Sequence, residues 1–227
     1  MVCAIHQPNY LPYLGFFDKI LKSDVFVIYD TVQFRKNNFQ NRNRVCSPDG
    51  WQWLTLPVKH SFRQKIKDAE INNPVKAVKN NWKKIQTLYG KAPYFKQYSG
   101  IFSDIYTRNY IKIADFNYDL IIAACSILGL STKFIKSSSF SEIQSKRTEA
   151  LVELCSRVGA DTYLSGPSGK NYLDLDLFEK SGIKIIFQNY VHPVYIQFNN
   201  NTFQTYMSII DLIFNHGKKS LAILSGS

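Results

Sequence analysis

A strand, helix, strand pattern at the start of the chain constrains its fold more than any other feature. Val2 to Ile5 is a short apolar run that ends at His6, and Val25 to Tyr29 (VFVIY) is a second, rich in β-branched and aromatic residues. Unbroken apolar runs of this length suit strands buried on both faces. Between them Leu14, Phe17, Ile20 and Leu21 fall at helical spacing. Two strands joined through a helix run parallel, because a tight hairpin cannot link parallel neighbours. The pattern therefore predicts a parallel sheet, with His6 and Asp30 just past the carboxyl ends of the first two strands.

The same alternation returns in the last third of the chain. Ser145 to Val158 carries Ala150, Leu151, Leu154, Cys155 and Val158 at helical spacing and closes at Gly159. Thr162 to Leu164 reads as a strand, Asp174 to Ser181 as a helix and Ile183 to Phe187 as another strand. Between the two halves, Asp30 to Asn43 (DTVQFRKNNFQNRN) is polar and basic and reads as an extended loop, followed by turn residues Ser47 to Gly50 and a strand around Trp51 to Val58. A mostly helical stretch comes next, including Tyr118 to Leu128 with a helix stop at Gly129. The expected architecture is α/β: a mostly parallel sheet flanked by helices, Rossmann-like and three-layered, forming a single domain over 1–227 with a helical insertion around 74–130.

The chain has 227 residues, 45% of them hydrophobic, enough for a packed core. No stretch approaches the length of a membrane span, and no basic region followed by a long apolar run and cleavage site opens the chain, so a cytoplasmic soluble protein is expected. Cys3, Cys46, Cys125 and Cys155 are too widely spaced for a disulfide framework or zinc motif, and buried free thiols are expected. His6, His60, His192 and His216 are equally scattered, so no metal site is indicated. Lysine and arginine outnumber acids by 28 to 17, a formal charge of +11. That excess suggests an anionic partner such as a nucleotide, a sugar phosphate or RNA, although the cations are dispersed and many suit solvated helix faces.

Four segments carry candidate chemistry. In AIHQPNYLPYLGFFDKI, His6 is followed at once by Gln7, Asn9 and Tyr10, and in open α/β sheets ligands bind at that strand edge. His6 is the candidate general base and Asp30, expected on the neighbouring strand, its orienting carboxylate; a satisfied histidine at a strand end is the plainer alternative. The basic loop and the residues after it offer Gln33, Arg35, Asn41, Arg42 and Arg44, amides for sugar hydroxyls or base edges and guanidiniums for phosphate, interleaved with Phe34 and Phe39. A solvated basic loop has the same composition. In YLSGPSGKNYL, Gly166 and Gly169 enclose two residues where a phosphate-binding P-loop needs four, so that motif is absent. The segment still offers Ser165, Ser168 and Lys170 beside a glycine turn, and both an anion site and a plain strand-to-helix turn remain open. His192, after a strand in FQNYVHPVY, is placed to close the site from the other half, or is turn chemistry of a His-Pro pair.

Together these blocks resemble the WbqC-like family. AIHQPNYLPYLGFFDKI, SDVFVIYDTVQFRKNNFQNRNRV, WLTLPV, GADTYLSGPSGKNYL, FQNYVHPVY and SIIDLIFN carry the resemblance from Ala4 to about Gly217, while Thr205 stands where a proline is expected. The resemblance implies a bacterial setting of O-antigen-type surface polysaccharide biosynthesis. It further implies modification of an amino sugar, by transfer of an acyl or aminoacyl group such as glycyl. The implied partners are a nucleotide-linked sugar and an activated acyl or aminoacyl donor, with aminoacyl-tRNA one form of donor. The layout is similar to the nucleotide-binding fold of adenylate-forming ligases, but His6 has no second histidine three residues later, so no ATP signature is present and no cofactor is specified. An RNA-binding module and a non-catalytic nucleotide-sugar-binding protein are the competing readings.

Overall fold

The computed structural model of the chain describes residues 1–59, 61–198 and 202–226. Its centre is a five-stranded, all-parallel sheet. In chain order the strands concerned are β1 (Val2–His6), β2 (Val25–Ile28), β7 (Lys133–Lys136), β8 (Thr162–Ser165) and β9 (Lys184–Phe187). Across the sheet they run β7-β2-β1-β8-β9. The chain thus starts in the middle, builds outward to one side through β2 and β7, then returns to the other side of β1. The expected α/β fold with a parallel sheet flanked by helices is the fold observed.

The two sheet faces are covered by different helices, which makes the three layers. Ala4, Phe26, Ile28 and Leu164 face one core, shared with Leu14, Phe17 and Ile20 of α1 (Leu14–Leu21). Cys3, Ile5, Val25, Val27 and Tyr163 point the other way. There they meet Leu154 and Cys155 of α5 (Arg147–Arg157) and Phe178 of α6 (Leu175–Lys180). Alternation along each strand explains the split, since successive side chains point to opposite faces. The helical middle, α2 (Pro74–Tyr89), α3 (Phe95–Thr107) and α4 (Ile113–Leu128), shares the α1-side core, as does α7 (Ile209–His216). Gly129 stops α4 in the left-handed region at φ 70°, as its position predicts. All four cysteines are buried, and none forms a disulfide among the described residues.

The segment after β2 departs from expectation. The stretch expected as one strand over Trp51 to Val58 is two, β4 (Gly50–Thr55) and β5 (Val58–Lys59), separated by Pro57, which has no N–H to give a ladder. β4 pairs antiparallel with β3 (Arg42–Ser47), so the end of the supposed loop is itself a strand. A short β6 (Glu70–Ile71) pairs with β5.

The β1–α1 connection is held from outside. Asn117 of α4 donates to Pro8 O at 2.9 Å and to Gln40 O at 2.8 Å. Asn43 of β3 donates to Leu11 O at 2.7 Å and Tyr10 O at 3.2 Å. Leu11 sits at φ 43°, an uncommon conformation for a side chain of its size, and the Asn43 amide secures it. Two amides thus hold the loop that leads from β1 into α1.

Asn117 is fully buried, so Asn117→Ala leaves two inaccessible carbonyls without these donors. It is expected to lower unfolding stability by about 2–4 kcal/mol, read from a shift of the urea midpoint at unchanged slope. A change within experimental scatter would mean the loop does not depend on this amide.

Candidate functional site

The sheet order reverses direction at β1, whose neighbours β2 and β8 are connected to it in opposite senses. Crevices at such a reversal, outside the carboxyl ends of the strands, are where open α/β sheets bind ligands. A cavity of about 290 Å³ lies there, lined by His6, Gly15, Lys19, Gly166, Ser168 and Gln188 among others.

His6 ends β1 and packs its ring edge-on against Phe16, centroids 4.9 Å apart. Nδ1 lies 3.0 Å from Gln7 O. A carbonyl oxygen only accepts, so Nδ1 carries the proton and the lone pair sits on Nε2. Burial, and next the charge of Lys19, hold the imidazole well below its ordinary pKa; the carbonyl bond opposes them weakly. His6 is therefore a neutral acceptor at physiological pH.

Lys19 is the residue that motif reading missed. It is 5% exposed on α1, yet its ammonium forms no hydrogen bond or ion pair among the described residues. The adjacent Asp18 is already occupied: Lys22 reaches its Oδ1 at 2.7 Å and the Gln188 amide donates to its Oδ2 at 2.6 Å. Gln188 also donates to Gly15 O at 2.8 Å, tying the end of β9 to the start of α1. A methyl group on Gly166 would lie 3.4 Å from Lys19 Nζ, which places the ammonium against the glycine turn. Burial lowers the Lys19 pKa from 10.5 to about 8, against the raising influence of Asp18. The only signal in the sequence is a lysine four residues after Gly15 on a helix that is otherwise mostly Leu, Phe and Ile, with Asp18 beside it.

The glycine turn is tighter than a phosphate cradle. Pro167–Asn171 forms a 3₁₀ turn, Pro167 has no N–H, and the Gly169 N–H is bonded to Gly166 O at 3.0 Å. A Cβ on Gly169 would fall 2.1 Å from Ser165 Oγ, so the glycine is required by close approach. Ser165 is buried and donates to Gly166 O at 3.1 Å. Lys170 lies over the Phe187 ring at 5.3 Å. Of this turn, Gly166, Pro167, Ser168 and Gly169 line the crevice.

Several expected site residues are elsewhere. Asp30 is 2% exposed and accepts from Ser137 Oγ at 2.8 Å, Ser138 N at 2.9 Å and Ser138 Oγ at 2.6 Å, and no hydrogen bond joins it to His6. Orienting His6 falls to the Gln7 carbonyl instead. Tyr10 is a core residue whose hydroxyl meets Tyr106 at 2.6 Å and Asn81 at 3.1 Å. Gln7 Oε1 accepts from Gln40 at 2.7 Å, and Asn41 is turned inward onto Leu56 O. Asn9 is buried with no side-chain hydrogen bond among the described residues. Arg42 and Arg44 stack on Trp53 and Trp51 of the hairpin, at 4.1 and 4.4 Å, with both Nε atoms buried. Arg35 is exposed, and Gln33 lines a different cavity.

His192 is walled off by aromatic rings. It meets Tyr206 at 5.3 Å, and Tyr206 in turn meets the crevice residue Tyr13 at 6.0 Å. Its Nε2 accepts from the Tyr206 N–H at 3.1 Å, which puts its proton on Nδ1, toward Pro193 O. His60 lies outside the described residues. Among those described, no cluster of His, Cys, Asp and Glu could hold a metal ion, and no helix is long and apolar enough to cross a membrane.

The comparisons with known proteins cover nearly the whole chain. The model of the WbqC-like protein family matches residues 7–223. An uncharacterized protein of Mycobacterium tuberculosis is 35% identical over 221 residues, 96% of this chain and 94% of that protein. No solved structure matches.

The Lys19 shift has a definite sign. With its folded pKa near 8 and its unfolded value near 10.5, the unfolded chain holds the extra proton between those values. Stability contributed at this site therefore rises with pH across that window. Denaturant midpoints from neutral pH upward should show this rise, and Lys19→Met should remove it while stabilising the protein at neutral pH. A Met variant that is less stable at neutral pH would contradict an unpaired buried ammonium.

Proposed function

Given that the chain belongs to the WbqC-like family, we propose that it transfers an acyl or aminoacyl group, such as glycyl, to the amino group of a nucleotide-linked amino sugar. The setting proposed is the cytoplasmic stage of O-antigen-type surface polysaccharide biosynthesis. The observation that carries the reading is the pair at the sheet reversal: a neutral His6 with Nε2 free, and Lys19, a mostly buried residue lining the same crevice whose amine makes no hydrogen bond or ion pair among the described residues.

Amide formation needs a neutral attacking amine, a proton acceptor and stabilisation of the oxyanion that develops on the donor carbonyl. His6 Nε2 accepts a hydrogen bond from the sugar amine and aims its lone pair at the carbonyl carbon. As the C–N bond forms, the amine proton passes to neutral Lys19, whose pKa near 8 leaves a useful fraction of free base near neutrality. The ammonium so formed stands beside the oxyanion until the donor's leaving group departs. Lys19, rather than the weakly basic His6, is thus assigned the proton, and His6 the positioning of the nucleophile. Ser168 and Gly166 face the same space and serve the sugar and the donor carbonyl.

One surface favours aminoacyl-tRNA as the donor. Arg42, Arg44, Trp51 and Trp53 form a cation and indole ladder on the hairpin, with Trp51 and Phe39 exposed beside it. Stacked rings and cations of this kind suit single-stranded nucleic acid.

The protein should be incubated with nucleotide amino sugars together with amino acids and ATP, acyl thioesters, or charged tRNA. Mass spectrometry is expected to find the sugar heavier by one acyl or aminoacyl residue. His6→Ala and Lys19→Met should each lower kcat/KM by about 100-fold or more with the fold retained. Wild-type rates in both variants would remove the crevice from the reaction. Binding of tRNA that does not weaken with salt would remove the hairpin ladder from donor recognition.

A further inference from the structure

A larger cavity, about 750 Å³, opens at the same carboxyl edge between the ends of β2 and β7. It is separate from the crevice at β1 and β8, and none of its lining residues is shared with it. Four cations line it, Lys65, Lys67, Lys146 and Arg147, against a single carboxylate, Glu142. Lys65 makes one long contact with Glu142 at 3.8 Å. Lys67, Lys146 and Arg147 have no side-chain hydrogen bond or ion pair among the described residues. Such an excess of unneutralised cations around one concave space raises the local concentration of anions.

Two further features shape the cavity. Its floor hydroxyls are already committed, because Ser137 and Ser138 both donate to Asp30. Thr31 then donates to Ser137 Oγ at 2.9 Å, so at the floor recognition of an anion falls on the cations rather than on hydroxyls. At the mouth, α5 begins without a side-chain cap, and its first residue, Arg147, is held at φ 52°. A non-glycine residue in that region is strained, and strain of this kind collects at ligand-binding positions. Tyr29, Phe140 and Ile143 give the cavity an apolar wall.

We infer that this cavity binds the phosphate groups of a small phosphorylated ligand, with the ring system attached to them against Tyr29 and Phe140. The volume lies in the usual range for pockets that enclose small molecules, which favours such a ligand over a nucleic-acid backbone. The inference does not rest on the transfer reaction proposed for the other crevice, and it accounts for Asp30, whose carboxylate organises the floor.

Inorganic pyrophosphate is the probe, titrated into the full chain by calorimetry at low ionic strength. Saturable binding is expected, weakened about tenfold or more by Lys67→Ala with Arg147→Gly, since each charged hydrogen bond lost is worth roughly that factor. Glycine accepts the φ of Arg147 without strain, so this variant retains the fold, and Lys67→Arg should restore most of the affinity. Lys19→Met and the exposed helix pair Lys79→Ala with Lys83→Ala should leave binding unchanged. The inference is overturned if pyrophosphate does not saturate, if the cavity variant binds like wild type, or if the Lys79 and Lys83 pair weakens binding as much. Loss of pyrophosphate binding in Lys19→Met alone would likewise overturn it, by moving the anion to the other crevice.

Discussion

Hydrogen bonding of β1 to β2 on one side and to β8 on the other is the constraint from which the rest of the molecule follows. Ala4 is in register with Phe26 and with Leu164, so the strand is buried on both faces and both edges. Because the two neighbours are reached by connections running in opposite directions, their loops part at the carboxyl end and leave the crevice beside His6. That crevice needs a fixed wall, and the wall comes from far along the chain. Asn117 and Asn43 grip the β1–α1 loop, while Gln188 ties β9 to α1. His6 and Lys19 are thus set on a strand end and a helix face, where precision is easiest to hold.

Lys19 is where stability and the proposed function pull apart. Burial disfavours the charged form of the Lys19 amine and lowers its pKa to about 8, while the nearby Asp18 carboxylate opposes the shift. Asp18 lies next to it in sequence, yet Lys22 and Gln188 occupy that carboxylate. Titratable groups displaced in this way cluster at functional sites. His6 obeys the same logic with the opposite result, since burial keeps it neutral and makes it an acceptor rather than an acid.

What the sequence made legible were the features governed by local periodicity. Continuous apolar runs announced β1 and β2, and Gly129 announced the end of α4, because each depends on neighbours within a few residues. The amide-rich segment was misleading for the reason that polar composition does not reveal direction. Asn41 looks like a ligand donor, yet it and Asn43 satisfy backbone carbonyls brought close only by the tertiary fold. Arg42 and Arg44 likewise meet Trp53 and Trp51 only because β3 and β4 pair in the observed register. Asp30 was placed at the correct sheet edge but given the wrong partner, since Ser137 and Ser138 arrive from β7, more than a hundred residues later. Lys19 was hidden because a single lysine on a helix is ordinary until its burial is known.

The proposed chemistry depends most directly on the protonation of one amine. Lysine labelled at Nζ allows Lys19 to be titrated by NMR, with Lys19→Met assigning the signal, in the free protein and with a nucleotide amino sugar added. A midpoint near 8 is expected in the free protein, displaced when the sugar binds. A midpoint in the ordinary lysine range, unmoved by the sugar, would contradict it.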